Sequence, residues 1–214
     1  MKKVFVVGDS IDYANFIEDC ELVSNIDEAD IVLFTGGEDV CPRLYDAKPH
    51  HTSNYRLSRD LEEQAVFNKI KPSQLALGIC RGSQFLCVMN GGKLVQDCAN
   101  HALYETHSIT DGNKEYEITS THHQMQYPYN LDPGDYTLLF TASPARSHYY
   151  DGEFIINRYI SVNGEPEIVL YHKKGMPKCL AIQGHPEYMR HDAPVVKMLN
   201  ELINQTLNLT KDND

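Results

Sequence analysis

Gly78-Ile79-Cys80-Arg81-Gly82 has the glycine-x-cysteine-x-glycine spacing of a nucleophile elbow. In that turn a strand passes sharply into a helix, and small neighbours let the central side chain stand clear of the sheet. Unpaired backbone N–H groups and the positive end of the helix dipole favour negative charge at Cys80, and the N–H of Arg81 suits an oxyanion donor. A lone cysteine is more often a buried structural thiol, the reading given to Cys87 and Cys179, but the elbow context favours a nucleophile at Cys80. Such a nucleophile needs a base that takes its proton and returns one to the leaving group, and a carboxylate that orients the base. Gly184-His185-Pro186-Glu187 supplies both in one turn. Thr35-Gly36-Gly37-Glu38 sets paired glycines where backbone N–H groups can approach a bound atom, which suits a second oxyanion donor. Ser120-Thr121-His122-His123-Gln124 invites a metal reading. Adjacent histidines point in different directions on an extended chain, and no third ligand has suitable spacing, so neither metal nor cofactor is expected.

These turns need elements to hold them. Residues 3–7 and 31–34 are short apolar runs ending at glycine or Thr-Gly-Gly, the form of buried parallel strands. Residues 59–70 carry Leu61, Ala65, Val66 and Ile70 at helical spacing in a charged background, and Lys71-Pro72 ends them. A strand over 75–79 follows, then a buried helix over 83–90 closed by Gly91-Gly92. Later apolar runs at 116–119, 136–140, 168–171 and 180–182 predict further strands, some antiparallel. Residues 193–207 predict an amphipathic helix on Val195, Val196, Leu199, Leu202, Ile203 and Leu207, and the end from about 210 is expected to fray. The sum is an α/β sheet with helices on both faces, on which ligands gather at the carboxyl ends of strands.

Composition narrows the function. The chain has 214 residues, read as one domain, with a net charge of −11, which disfavours nucleic acid or an anionic bilayer as partner. Residues 1–40 hold Lys2 and Lys3 against ten acids, a balance of −8 read as a solvated acidic face. No apolar run reaches the roughly 18 residues of a membrane span, and the run after Met1 is too short for a secretory signal. A cytoplasmic location is expected, with the six cysteines as free thiols.

The ordered blocks resemble a known family. Gly36-Gly37-Glu38-Asp39-Val40-Cys41-Pro42-Arg43-Leu44-Tyr45, Arg59-Asp60 with Glu63, Leu77-Gly78-Ile79-Cys80-Arg81-Gly82-Ser83-Gln84, Gly91-Gly92-Lys93-Leu94-Val95-Gln96-Asp97, Ser120-Thr121-His122-His123-Gln124 and Ile182-Gln183-Gly184-His185-Pro186-Glu187 are similar to segments of triad-type class I glutamine amidotransferases, in family order. The likeness is to their γ-glutamyl hydrolase branch, peptidase C26. It implies a flavodoxin-like, mostly parallel α/β fold, with Cys80, His185 and Glu187 as triad and the Gly37 and Arg81 amides as oxyanion hole. It implies a small-molecule γ-glutamyl substrate, with Gly36, Gln84, Thr121, His122 and His123 as substrate contacts.

The activity so implied is hydrolysis of a γ-glutamyl amide through a cysteine thioester. A glutaminase subunit feeding ammonia to a separate synthetase is the alternative, and a catalytically silent binding module is a reading of another class. Partnership with a second copy or with a synthetase stays open. Several departures from the family stand out. The stretch between Gly8 and Ile31 is short, so the first helix and the pocket wall it supports are expected to be reduced. An added stretch, 143–161, with Tyr149, Tyr150 and Tyr159, reads as a lid or as a surface elaboration. Asn163-Gly164-Glu165-Pro166-Glu167 stands in for the family's acidic turn. Gly184 replaces a common aromatic, which either widens the pocket or eases the turn.

Overall fold

The computed structural model describes residues 1–103 and 105–211. From the amino end the chain forms β1 (Lys2–Val7), β2 (Cys20–Leu22), β3 (Ile31–Phe34), α1 (Leu57–Phe67), β4 (Leu75–Ile79) and α2 (Arg81–Met89). Then follow β5 (Lys93–Val95), β6 (Asp97–Cys98), β7 (Glu105–Thr110), β8 (Glu115–Ser120), β9 (Met125–Tyr127), β10 (Tyr136–Ala142) and β11 (Tyr150–Asp151). The last elements are α3 (Asn157–Asn163), β12 (Pro166–Tyr171), β13 (Lys178–Ile182) and α4 (Pro194–Lys211). Among the described residues the main sheet runs β2-β1-β3-β4-β13-β12-β10-β7-β8. The strands from β2 to β13 in that order are parallel, and β12, β10, β7 and β8 extend the sheet through antiparallel pairs.

β3 and β4 are unbroken apolar runs because helices cover both faces of this half. Alternation along β3 divides the core: Val32 and Phe34 join Phe67, Phe85 and Leu86 under α1 and α2, whereas Ile31 and Leu33 join Val195, Leu199 and Ile203 under α4. This is the flavodoxin-like architecture, with a third, smaller cluster of Val95, Cys98, Met125, Tyr127 and Ile160 beside it. β3, β4 and β13 are neighbours in register, so the turns after Phe34, Ile79 and Ile182 open side by side.

As the short stretch after Gly8 implies, residues 8–30 hold no α-helix, only 3-10 turns at Ile11–Ala14 and Ile26–Glu28 around the short β2, a strand the pattern did not predict. The structure departs from the sequence pattern in three further places. α1 does not use its apolar stripe as expected: Leu61 is 52% exposed, while Arg59, Asp60 and Glu63 face inward. The strands β5, β6, β7, β9 and β11 and the helix α3 are additional to the expected set. Finally, α4 continues to Lys211, through the start of the stretch expected to fray, whose remaining residues 212–214 lie outside those described. Among the described residues no helix is long and apolar enough to cross a membrane.

Candidate active site

Cys80 ends β4 and precedes α2 with φ 52° and ψ −110°, a conformation sparsely populated by side-chain-bearing residues. Two glycines permit it: a Cβ at Gly78 would meet the Gly82 carbonyl, and one at Gly82 would meet the Phe34 carbonyl of the adjacent strand. The elbow is tied down by the Cys80 N–H donating to Ile182 O at 2.8 Å and by Ser83 Oγ donating to Cys80 O at 2.6 Å. The buried thiol therefore sits at a helix N-terminus, where backbone N–H groups are unpaired.

His185 enters from the end of β13. Thr119 Oγ1 grips its backbone twice, accepting from His185 N–H at 3.1 Å and donating to His185 O at 2.7 Å. Its Nδ1 lies 2.6 Å from Glu187 Oε1, and Tyr188 stacks on the ring at 4.9 Å with planes 8° apart. Burial opposes a charge on this imidazole, but hydrogen bonds to Cys80 and Glu187, and their charges, raise it to about 10. Cys80, His185 and Glu187 thus meet at the ends of adjacent strands, with Glu187 hydrogen-bonded to the imidazole and Cys80 near enough to raise it. A Cβ at Gly184 would stand 2.7 Å from Ile118 Cδ1 and Thr119 O, so the glycine lets β8 approach.

The paired glycines lie beside the elbow. Gly37 has φ 138°, and Gly36 O accepts from Arg59 Nη2 at 2.8 Å. Arg59 also contacts Glu38 at 3.2 Å through Nη1 and Glu63 Oε1 at 2.8 Å through Nε. Glu63 Oε2 and Asp60 Oδ1 both accept from Arg81, and Asp60 Oδ2 accepts from Cys41 N–H at 3.0 Å. A buried network of two guanidiniums and two carboxylates therefore links the glycine loop to the elbow. The sequence pattern displayed these four residues without exposing their connection, because ions on a helix normally read as its solvent face.

The substrate-contact candidates separate. Gln84 is buried and donates through Nε2 to Gln124 O at 2.9 Å; His122 Nδ1–H donates to the same oxygen at 2.8 Å. Thr121 between them is half-buried. His123 turns the other way, 3.1 Å from Asp39 and 3.4 Å from Asp97, and hydrogen bonding to Asp39 raises it from its ordinary range. His122 instead stacks on His101 at 4.5 Å, and burial followed by the charge of His101 holds it well below the usual histidine range.

His101 lies 3.2 Å from Glu165 and His107 2.8 Å from Glu167. Two loops and a strand thereby supply the neighbours that the spacing of His122 did not show: His101 before β7, His122 after β8 and Glu167 on β12 have ligand-type atoms within 4.8 Å of one another. This group is of a kind that could hold a metal ion, against the expectation from spacing alone, and two carboxylates, Glu165 and Glu167, face His101 and His107 beside it. Glu165 also accepts from Arg146 N–H, Ser147 N–H and Tyr150 Oη at 2.8, 2.7 and 2.8 Å, which fastens the 143–161 stretch to the sheet edge. Tyr150 and Tyr159 pack on the third core cluster, so this stretch is a docked wall next to Asp97, to which Tyr149 Oη donates at 2.8 Å.

The peptidase C26 family model matches residues 16–133, more than half of the chain. The chain belongs to the peptidase C26 family. Protein NtpR of Enterococcus hirae is 37% identical over 78 residues, covering 36% of this chain and 33% of that protein. A candidate glutamine amidotransferase-like protein of Lactococcus lactis subsp. cremoris, a YvdE homolog, is 40% identical over 70 residues, covering 32% and 37%. The matched segment is thus about a third of the length of each of these relatives. Among solved structures, a candidate GMP synthase subunit from Thermoplasma acidophilum superposes with a TM-score of 0.63 at 17% identity, covering 99% of this chain and 96% of that one. A glutamine amidotransferase from Thermotoga maritima gives 0.52 at 14% identity, covering 99% and 94%. The matched region holds Gly37, Cys80 and His122 but ends before His185 and Glu187, which the fold alone brings to the cysteine.

Proposed function

We propose that the protein hydrolyses a γ-glutamyl amide to glutamate and a free amine. The observation that carries this reading is the chain from Cys80 through His185 to Glu187 at the ends of adjacent strands. The Cys80 sulfur attacks the γ-carbonyl carbon, and the amides of Gly37 and Arg81 receive the developing oxyanion. Protonated His185 gives its proton to the departing nitrogen as the carbon–nitrogen bond breaks, leaving a γ-glutamyl thioester. His185 then takes a proton from water, which attacks the thioester and releases glutamate and the Cys80 sulfur. Glu187 holds the imidazole throughout and stabilises its charged form. The polar segment of Gln84, Thr121 and His122 is assigned to the amino and carboxylate groups of the glutamyl unit, without His123, which faces Asp39 and Asp97.

The kinship with proteins described as glutamine amidotransferase-like and as a GMP synthase subunit keeps glutamine, and ammonia delivery to a synthetase, as the second reading. One experiment addresses both. Wild type and Cys80→Ala are incubated with glutamine and a panel of γ-glutamyl amines, and products and covalent adducts are followed by mass spectrometry. The expected result is glutamate from at least one γ-glutamyl amine, a trapped γ-glutamyl adduct on Cys80, and neither with Cys80→Ala. Glutamine turnover that requires an added synthetase favours the second reading. No turnover and no adduct across the panel overturns both and leaves a binding module.

A further inference from the structure

The Gly36–Gly37 peptide has two orientations that differ by a flip of its plane. The only cis peptide among the described residues is Ser143-Pro144, so this one is trans and its C=O and N–H point in opposite directions. Gly36 O points to the Arg59 guanidinium, on the side of the sheet covered by α1. The Gly37 N–H therefore points away from α1, toward the face on which Cys80 and Tyr13 pack with the α4 core. A flip would change φ of Gly37 from 138° by half a turn, to about −40°, close to the ordinary α region. Because glycine takes positive and negative φ about equally, its own sterics give little preference for the orientation that an oxyanion donor requires.

Arg59 does hold it. Its guanidinium has donors only, so a flipped peptide would set N–H against N–H and leave the buried guanidinium without the Gly36 oxygen. Glu63 fixes Arg59 through Oε1 and Arg81 through Oε2, so one carboxylate joins the residues that position both proposed oxyanion amides. Resting on the reading of Cys80 as nucleophile, we propose that Arg59, anchored by Glu63, is a positioning residue that locks the Gly36–Gly37 peptide with its N–H toward Cys80. It touches no reacting atom and acts through the peptide it holds.

The test separates oxyanion stabilisation from thiol reactivity. Acetylation of Cys80 by p-nitrophenyl acetate forms a carbon–sulfur bond through a tetrahedral oxyanion and expels p-nitrophenolate. Alkylation by iodoacetamide forms a carbon–sulfur bond as iodide leaves, with no oxyanion. Both rates are measured at Cys80, with Cys80→Ala subtracting the other thiols, in wild type, Arg59→Met, Arg59→Lys, Glu63→Gln and the control Glu62→Gln. Arg59→Met and Glu63→Gln are expected to slow acetylation about 100-fold, the typical effect of losing one oxyanion donor, with alkylation within about threefold of wild type. Arg59→Lys, which keeps one donor for Gly36 O, falls between, and Glu62→Gln matches wild type. If Arg59→Met does not fold, Arg59→Lys and Glu63→Gln carry the comparison. Equal loss of both reactions, unchanged acetylation, or a wild-type Cys80 that is alkylated but not acetylated overturns the lock. Acetylation that depends on Arg59 without turnover of any γ-glutamyl amide leaves the lock standing and removes the γ-glutamyl reading.

Discussion

Two buried polar networks flank Cys80, and they are built from different chemistry. On the side of α1, Arg59 and Arg81 face Asp60 and Glu63; toward the antiparallel edge, His101 and His107 face Glu165 and Glu167. Guanidiniums stay charged at any pH a protein survives, so the first network keeps its geometry while the chemistry beside it moves protons. The second titrates. Burial opposes the charge on His107, but Glu167 raises it above its ordinary value, and beside it His122 is held neutral. The proposed oxyanion amides are thus held beside fixed charges, and His122, assigned to the glutamyl head group, beside a histidine whose charge responds to pH.

The largest effect that tests this contrast is on stability. Arg81→Met leaves Asp60 buried without its guanidinium, and Glu63 with Arg59 alone, and is expected to lower the unfolding free energy by about 3–5 kcal/mol, measured by urea denaturation at about pH 7.5. Between about pH 6 and pH 9 that loss should not shrink, since a guanidinium stays charged across that range. His107→Gln is expected to cost less, up to about 3 kcal/mol, and to depend on pH. Its direction follows from linkage. A histidine raised in the folded state contributes its full stabilisation below the unfolded value of 6.5 and loses it as pH climbs through the folded value. The difference between wild type and His107→Gln should therefore shrink on going from pH 6 to pH 9. A flat difference for His107→Gln, or a shrinking one for Arg81→Met, would erase the distinction between the networks.

How far these networks were legible differs in the same way. The turns that carry the proposed site were visible because each follows a short buried strand, and β3 and β4 fall where the apolar runs at 31–34 and 75–79 place them. Arg59, Asp60 and Glu63 were visible as letters but not as a cluster, since helical periodicity assigns charged positions outward and Leu61 inward. The histidine cluster was hidden more deeply. His101, His107, His122, Glu165 and Glu167 meet only because β7, β8, β10 and β12 pair antiparallel across long loops, and no local spacing encodes that pairing. His122 and His123 facing apart follows from the extended chain around them; the neighbours each finds do not.

The joint between the two regions is Gly184, where the loop carrying His185 meets β8. Gly184→Ala forces a methyl against Ile118 and the Thr119 carbonyl, and an overpacked contact of this kind costs about 1–3 kcal/mol. Because Thr119 Oγ1 holds the His185 backbone, turnover should fall as well. A variant as stable and active as wild type would show that the base is positioned without β8.

The smallest expected effect sharpens the contrast most economically. If α1 faced the core with its apolar stripe, Leu61→Gln would remove a buried side chain and introduce an unpaired amide, at a cost above about 2 kcal/mol. With the ion network on the inner face, Leu61 lies half in solvent and the same substitution should change stability by less than about 0.5 kcal/mol. Acetylation of Cys80 should not change at all, because Leu61 stands about 200° around the helix from Arg59. Urea denaturation of Leu61→Gln thus asks which side of α1 is inside. A loss of several kcal/mol would return the leucine to the core, turn Arg59 and Glu63 toward solvent, and remove the physical basis for a lock on the Gly36–Gly37 peptide.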